Sequence, residues 1–346
     1  MTPRSSAVAM LAALLVSGCG TSQPSRSDAA GASGQPVTLT AAQLAVFAPL
    51  PAQMEVTGKP VAEAKVALGR ALFNETLLSE GHDVSCNSCH ALNAYGADGR
   101  KASLGFDGRP GGRNAPTVYN AAGQIAQFWD GRAADVEAQA KGPILNPVEM
   151  GMVDSTAVLK HLRASPAYVA SFHAAFPGEA QPVTYDNVGK AIGGFERGLV
   201  TPARWDSFLE GDAAALTSAE QQGLHTFLDT GCQSCHMGAF VGGDRFMKAG
   251  LVNAWFSQAD SGRYGVSRDA KDVLVFKVPS LRNIEKTGPY FHDGSVANLN
   301  EAVRLMAHHQ LGKELAPADV QSIVTWLGSL TGELPALYIA YPQKPK

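Results

Sequence analysis

The chain has little net charge, few cysteines, almost no strand alternation and only one apolar run. With 28 basic and 31 acidic residues among 346, its formal net charge is −3. It has no polybasic stretch, which argues against nucleic acid as a partner. Beyond the N-terminal apolar run nothing suggests insertion into a membrane. Apolar residues recur at helical spacing and hardly ever alternate, so an all-α fold is expected. Cysteine occurs five times, at positions 19, 86, 89, 232 and 235. A chain of this length can hold two or three domains with full-sized cores.

Four of the cysteines stand in two runs of identical spacing, Cys86-Asn-Ser-Cys89-His90 and Cys232-Gln-Ser-Cys235-His236. C-x-x-C-H is the signature of c-type haem attachment: two thiols add to the porphyrin vinyl groups, and the adjacent imidazole is left beneath the iron as its proximal ligand. Two runs imply two haems. A Cys/His zinc site is the competing chemistry. The histidine directly after the second cysteine in both runs, on a chain that looks exported, favours haem.

The export signal lies at the N-terminus. Arg4, an apolar stretch from Ala7 to Val16 and then Ser17-Gly18-Cys19 have the charge, apolar core and small-residue end of a signal peptide, too short to span a bilayer. Val16-Ser17-Gly18-Cys19 resembles a bacterial lipobox, which would make Cys19 the lipidated first residue of the mature protein; a plain secretory signal with an idle Cys19 is the alternative. With four cysteines on haem and the fifth on lipid, no disulfide is available. Removing residues 1–18 takes away only Arg4 and leaves 27 basic against 31 acidic residues. Residues 19–35, rich in Ser, Gly, Ala and Gln, read as a flexible tether. The expected location is the periplasm, with membrane contact only through the lipid.

The remainder reads as a duplication. Pro60 is expected in a first helical turn, with Val61 to Asn74 helical. Thr217 to Glu220 has capping-box spacing ahead of the apolar face Leu224, Phe227 and Leu228. So a helix precedes each haem run. A helix also closes each half: Val188, Ile192, Phe195 and Leu199 in one, Val320, Ile323, Val324 and Leu327 in the other. Between them Pro116-Thr-Val-Tyr-Asn120 returns as Pro279-Ser-Leu-Arg-Asn283, each followed fourteen residues after the Pro by Asp-Gly, Asp130-Gly131 and Asp293-Gly294. Phe128 and Phe291 match as well. First Cys to Pro is 30 residues in one half and 47 in the other, an extra loop in the second. The expected architecture is all-α, two cytochrome c-like domains related by duplication, residues 36–202 and 203–346, each with one covalent c-type haem.

The sixth position of each iron separates electron transfer from ligand chemistry. In the second half Met237 adjoins the proximal His and cannot reach the far face. Met247 is a candidate, and Met306, on an expected helix from Leu299 to His308, is the favoured one; core packing is its structural alternative. The first half has no equivalent Met. It offers Gln139 and Glu149 instead, suited to moving a proton between peroxide oxygens, although an isolated Glu is often only a solvated surface charge.

Residues 36–341 resemble the bacterial dihaem cytochrome c peroxidases, relatives of the dihaem oxidase MauG. The matching runs are Val84-Ser-Cys-Asn-Ser-Cys-His90, Arg113-Asn-Ala-Pro-Thr117, Ala126-Gln-Phe-Trp-Asp-Gly-Arg-Ala133, Ala138-Gln-Ala-Lys-Gly-Pro143, Pro289-Tyr-Phe-His292 and Glu301-Ala-Val303 before Met306. The resemblance implies reduction of hydrogen peroxide with electrons from a small cytochrome c or a cupredoxin, and allows a homodimer. It implies a peroxidatic first haem on His90 with Gln139 and Glu149 as its distal polar pair. It implies a second haem on His236 and Met306 that receives electrons, and Trp129 between the two. Asn114, Thr287 and Pro289 match positions around a calcium ion, the latter two through backbone carbonyls. The MauG branch has Tyr where this chain has Met306, so the peroxidase branch is favoured over a dihaem oxidase or a non-catalytic electron carrier. One departure stands out: in the loop 99–108, Phe106 occupies the place of a His that caps the peroxidatic iron in many members. His82 is the nearest spare imidazole and is expected at the surface.

Overall fold

The computed structural model describes residues 39–54 and 60–340; Cys19, the signal-like segment and the tether lie outside the described residues. The architecture is helical. The longer helices are Glu63–Phe73, Val136–Leu145, Ser155–Arg163, Pro166–Ala175, Tyr185–Glu196, Ser218–Thr230, Leu299–Leu311 and Pro317–Gly328. Starts are set by caps. Asp135, Asp154, Ser165, Thr184, Thr217 and Asn298 each accept a backbone N–H from the first turn, satisfying donors that have no partner inside the helix. The Thr217/Glu220 capping box is present, and its helix stops at Gly231 with φ +97°. Pro60 and Val61 stay outside the first helix, which begins at Glu63 after the N-cap Ala62. Leu199 lies past the end of its helix and is nonetheless fully buried.

Each half repeats one packing device. A Cβ on Gly69 would lie 1.9 Å from the Ala191 carbonyl oxygen, and one on Gly223 would lie 2.1 Å from that of Ser322. In both halves, then, glycine on the helix before the haem run lets the closing helix approach backbone to backbone. The Pro-to-Asp-Gly repeats share an unusual backbone: Asn120 and Asn283 (φ 58° and 60°) and Phe128 and Phe291 (65° and 70°) are all left-handed, a rare choice for a bulky side chain. Asn120 and Asn283 then meet at one residue, both donating Nδ2 to Thr201 Oγ1 at 2.8 and 2.9 Å.

Among the described residues two large apolar cores result, one from residues 66–199 and one from 203–330 together with Phe47, beside a small third around Tyr290, Val296 and Ala302. The chain ends cross over. Residues 39–47, expected to open the first domain, pack in the second core, where Phe47 meets Trp205 edge-on at 5.2 Å. Tyr338 packs on the first, stacked on Phe195 at 5.3 Å. Full burial of an aromatic such as Phe47 stabilises by roughly 1.5–3 kcal/mol. The extra loop of the second half forms the sheet found among the described residues, Phe246–Lys248 antiparallel to Val275–Lys277, with Met247 opposite Phe276. Among the described residues no helix is long and apolar enough to cross a membrane.

Candidate functional site

Both C-x-x-C-H runs are built alike. Cys86–Cys89 forms one helical turn and Cys232–Ser234 a tighter one, so in each the following histidine folds back under its own cysteines. His90 Nδ1 lies 3.3 Å from the Gly96 carbonyl oxygen, and His236 Nδ1 lies 3.3 Å from that of Val241. A ring nitrogen held by a backbone carbonyl fixes the imidazole and frees Nε2 to bind a metal. Burial pushes His236 down to about 4 and also lowers His90, so both rings stay neutral, as a ligand must. The four thiols are unpaired with one another, and burial pushes Cys232 up to about 12.

Around the second run lies a deep, mainly apolar cavity lined by Cys232, Cys235, His236, Met247 and Met306. Met306 comes from the middle of Leu299–Leu311. Met237 points elsewhere: Arg245 Nη2 lies 2.7 Å from its sulfur. Trp255 also lines this cavity, and its buried Nε1 has no protein partner.

The first run has different neighbours. Glu149 follows the helix Val136–Leu145 that carries Gln139. Its carboxylate accepts from Asn146 Nδ2 at 2.8 Å. Burial holds it above the usual carboxylate range, partly offset by Arg132 and Asn146. Its charge adds a little to the burial that raises Cys86 and Cys89, so it lies in the neighbourhood of both thiols. Phe106 is tied to the same turn. Its N–H donates to the Glu149 carbonyl at 2.9 Å, and its ring fills the place of a Cβ on Gly151, 2.1 Å from that position. His82 is exposed and stands edge-on to His161 at 4.9 Å.

Trp129 lies between the halves. Its Nε1 donates to the Asn114 carbonyl at 2.9 Å, and its ring meets buried His292 at 6.3 Å. Asn114, Thr287 and Pro289 border the same cavity. Asn114 spends its backbone N–H on His292 and its Nδ2 on Arg100. Its Oδ1 is left as the remaining oxygen, suited to a hard cation.

Residues 63–214 match the family described as di-haem cytochrome c peroxidase. The cytochrome c551 peroxidase of Pseudomonas aeruginosa is 43% identical over 307 residues, which cover 87% of this chain and 88% of that protein. The methylamine utilization protein MauG of Methylorubrum extorquens is 34% identical and covers 83% of each chain. Among solved structures, a MauG-like protein associated with microbial copper homeostasis superposes with a TM-score of 0.72 at 28% identity, over 85% of this chain and 96% of that one. The chain belongs to the di-haem cytochrome c peroxidase family.

The residues present fit the two haems that the family carries: neutral, carbonyl-held imidazoles, free thiols, an apolar cavity and an orphaned Trp255 donor at its wall. Two features of this family member were not anticipated from its sequence. Arg113 bridges the halves, bonding Asp260 through Nε and Nη2 at 2.6 and 2.8 Å and Asp130 at 2.7 Å. Lys277 is buried against the segment leading to Trp129. A lone lysine in the apolar run Val273-Leu-Val-Phe-Lys-Val278 was the one available signal.

Proposed function

We propose that this chain is a cytochrome c peroxidase of the periplasm, reducing hydrogen peroxide to two waters with two electrons and two protons. In this reading it is built as two cytochrome c domains, 36–202 and 203–346, each with one covalently attached haem. Haem, when bound, supplies the iron that takes up peroxide or passes electrons. His90 and His236 would each ligate one iron, and Met306 would be a further ligand to the second, which would make that haem the one to which a small cytochrome c or cupredoxin delivers electrons. Trp129, between the halves, lies on the route to the first. There Glu149 takes the proton from one peroxide oxygen and returns it to the other, and Gln139 orients the substrate. Asn114 Oδ1 with the carbonyls of Thr287 and Pro289 would hold a calcium ion, which would tie the halves together. Cys19 carries the lipid anchor.

The observation that carries this reading is the asymmetry of two otherwise matched C-x-x-C-H runs: Met306 lines the cavity at the second, while the half-buried Glu149 lies near the thiols of the first. Phe106 adds to it. A phenyl ring offers iron no lone pair, so position 106 would supply no ligand to an iron bound at the first run, and the oxidised enzyme would turn over peroxide without prior reduction. EPR of the fully oxidised protein, paired with peroxide turnover of the ferric enzyme given reduced cytochrome c, tests the proposal. Two low-spin, six-coordinate irons and no turnover would make the chain an electron carrier. Oxidation of a protein substrate without any electron donor would make it a MauG-like oxidase, which the higher identity to the cytochrome c551 peroxidase and the presence of Met306 argue against.

A further inference from the structure

Lys277 ends the strand Val275–Lys277 and is only 7% exposed. Its backbone N–H donates to the Trp129 carbonyl at 2.8 Å. Its Nζ donates to Gln124 Oε1 at 2.6 Å and to the Ala126 carbonyl at 2.8 Å. These are neutral oxygens, and an ammonium has three N–H groups. Burial pushes the group down to about 8, and no charged neighbour opposes that. Such a charge is costly inside a protein unless an anion meets it.

Lys277 also lines the cavity that holds Cys232, Cys235, His236 and Met306. Among the described residues bordering that cavity it is the one lysine or arginine, and no Asp or Glu borders it. A c-type haem seated there brings two propionate carboxylates into a space that has a single fixed cation in its wall. We infer that Lys277 is the counter-ion of a propionate on the haem attached at Cys232 and Cys235, and that it thereby raises the potential of that haem. This rests on the proposed attachment of a haem at the second run. Because the same side chain holds Gln124 and Ala126, it also joins the haem edge to the segment that ends at Trp129.

The test uses the holoenzyme with both haems counted by the pyridine haemochrome assay, followed by spectroelectrochemical titration of wild type, Lys277→Gln and Lys277→Arg. Removing a positive charge disfavours the reduced iron. The expected result is therefore a lower midpoint for the second haem in Lys277→Gln, an unchanged first haem, and recovery in Lys277→Arg. An unchanged second midpoint with two haems attached overturns the inference and leaves the haem assignment standing. Equal shifts in both haems also overturn it, pointing to a loosened interface. Wild type lacking haem at the second run overturns both readings. Should Lys277→Gln fail to fold, resonance Raman of the wild type decides: propionate bending modes of the second haem at the position of hydrogen-bonded carboxylates are expected, and modes of free propionates refute it.

Discussion

The backbone N–H of Phe106 donates to the carbonyl of Glu149 at 2.9 Å, which ties the loop 99–108 to the turn bearing that half-buried carboxylate. The Arg109 guanidinium adds a second tie, donating to the Pro147 carbonyl at 2.9 Å. Position 106 is thus held next to Glu149 by contacts that do not depend on its own side chain.

Phe106→His keeps those contacts and adds an imidazole lone pair. We expect the fully oxidised variant to show a low-spin, bis-histidine first haem, and the turnover of ferric enzyme to fall at least about tenfold, with recovery after one-electron reduction. EPR and stopped-flow peroxide consumption check it. A high-spin first iron with full ferric activity would mean that position 106 does not reach the metal.

In the proposed role Glu149 must be ionised to take a proton from peroxide, and burial holds its pKa above the ordinary carboxylate value. The acid limb of the peroxide rate is therefore expected at higher pH than for an exposed Glu, with activity rising as pH increases through it. Glu149→Gln should remove that limb and slow the peroxide step by about 10²–10⁴. The sign for stability is opposite. A carboxyl whose folded pKa is raised contributes stability below the unfolded value of 4.5 that is lost as pH rises through the folded one. Glu149→Gln is thus expected to match or exceed wild-type stability at neutral pH while losing activity, as thermal melts at pH 5 and 8 would show.

Thr201 sits where the duplicated halves meet, its hydroxyl accepting from both Asn120 and Asn283. Thr201→Val keeps the shape and leaves two buried carboxamide N–H groups without that acceptor. The cost is about 1–3 kcal/mol for each unsatisfied group, read as a lowered denaturation midpoint with unchanged haem content. A midpoint equal to wild type would show that the amides find other partners.

Much of this was legible in the sequence, because its signals are local. C-x-x-C-H fixes a turn, Thr217 with Glu220 fixes a helix start, and Met306 three residues after Val303 stays on one helix face. The repeat spacing from Pro116 to Asp130 could be matched with that from Pro279 to Asp293 by counting alone. What escaped depends on contacts between distant residues. Nothing near Phe47 says that it belongs with Trp205 and Trp326, since an apolar residue after a short helix suits either core. Nor does Arg113 announce Asp260, 147 positions away. Lys277 showed only as a lone cation in an apolar run, for the same reason: its environment is made by Gln124 and Ala126 from the other half.

Two methionines border the cavity at the second run, and sequence position favours Met306. Met247 lies on the strand Phe246–Lys248, paired across to Phe276, whereas Met306 stands on the helix that follows the second Asp-Gly repeat. If Met306 is the axial ligand, Met306→Leu removes the thioether from the iron, lowers the second haem's potential and slows oxidation of the donor. Met247→Leu then leaves the spectrum and potential close to wild type, since a near-isosteric swap changes only packing, at a cost under about 1.5 kcal/mol. Redox titration of the two variants side by side, with magnetic circular dichroism reporting the Met–iron charge-transfer band, separates the possibilities. Loss of the band in Met247→Leu and its survival in Met306→Leu would transfer the ligand role to the strand, and with it the control of where electrons enter.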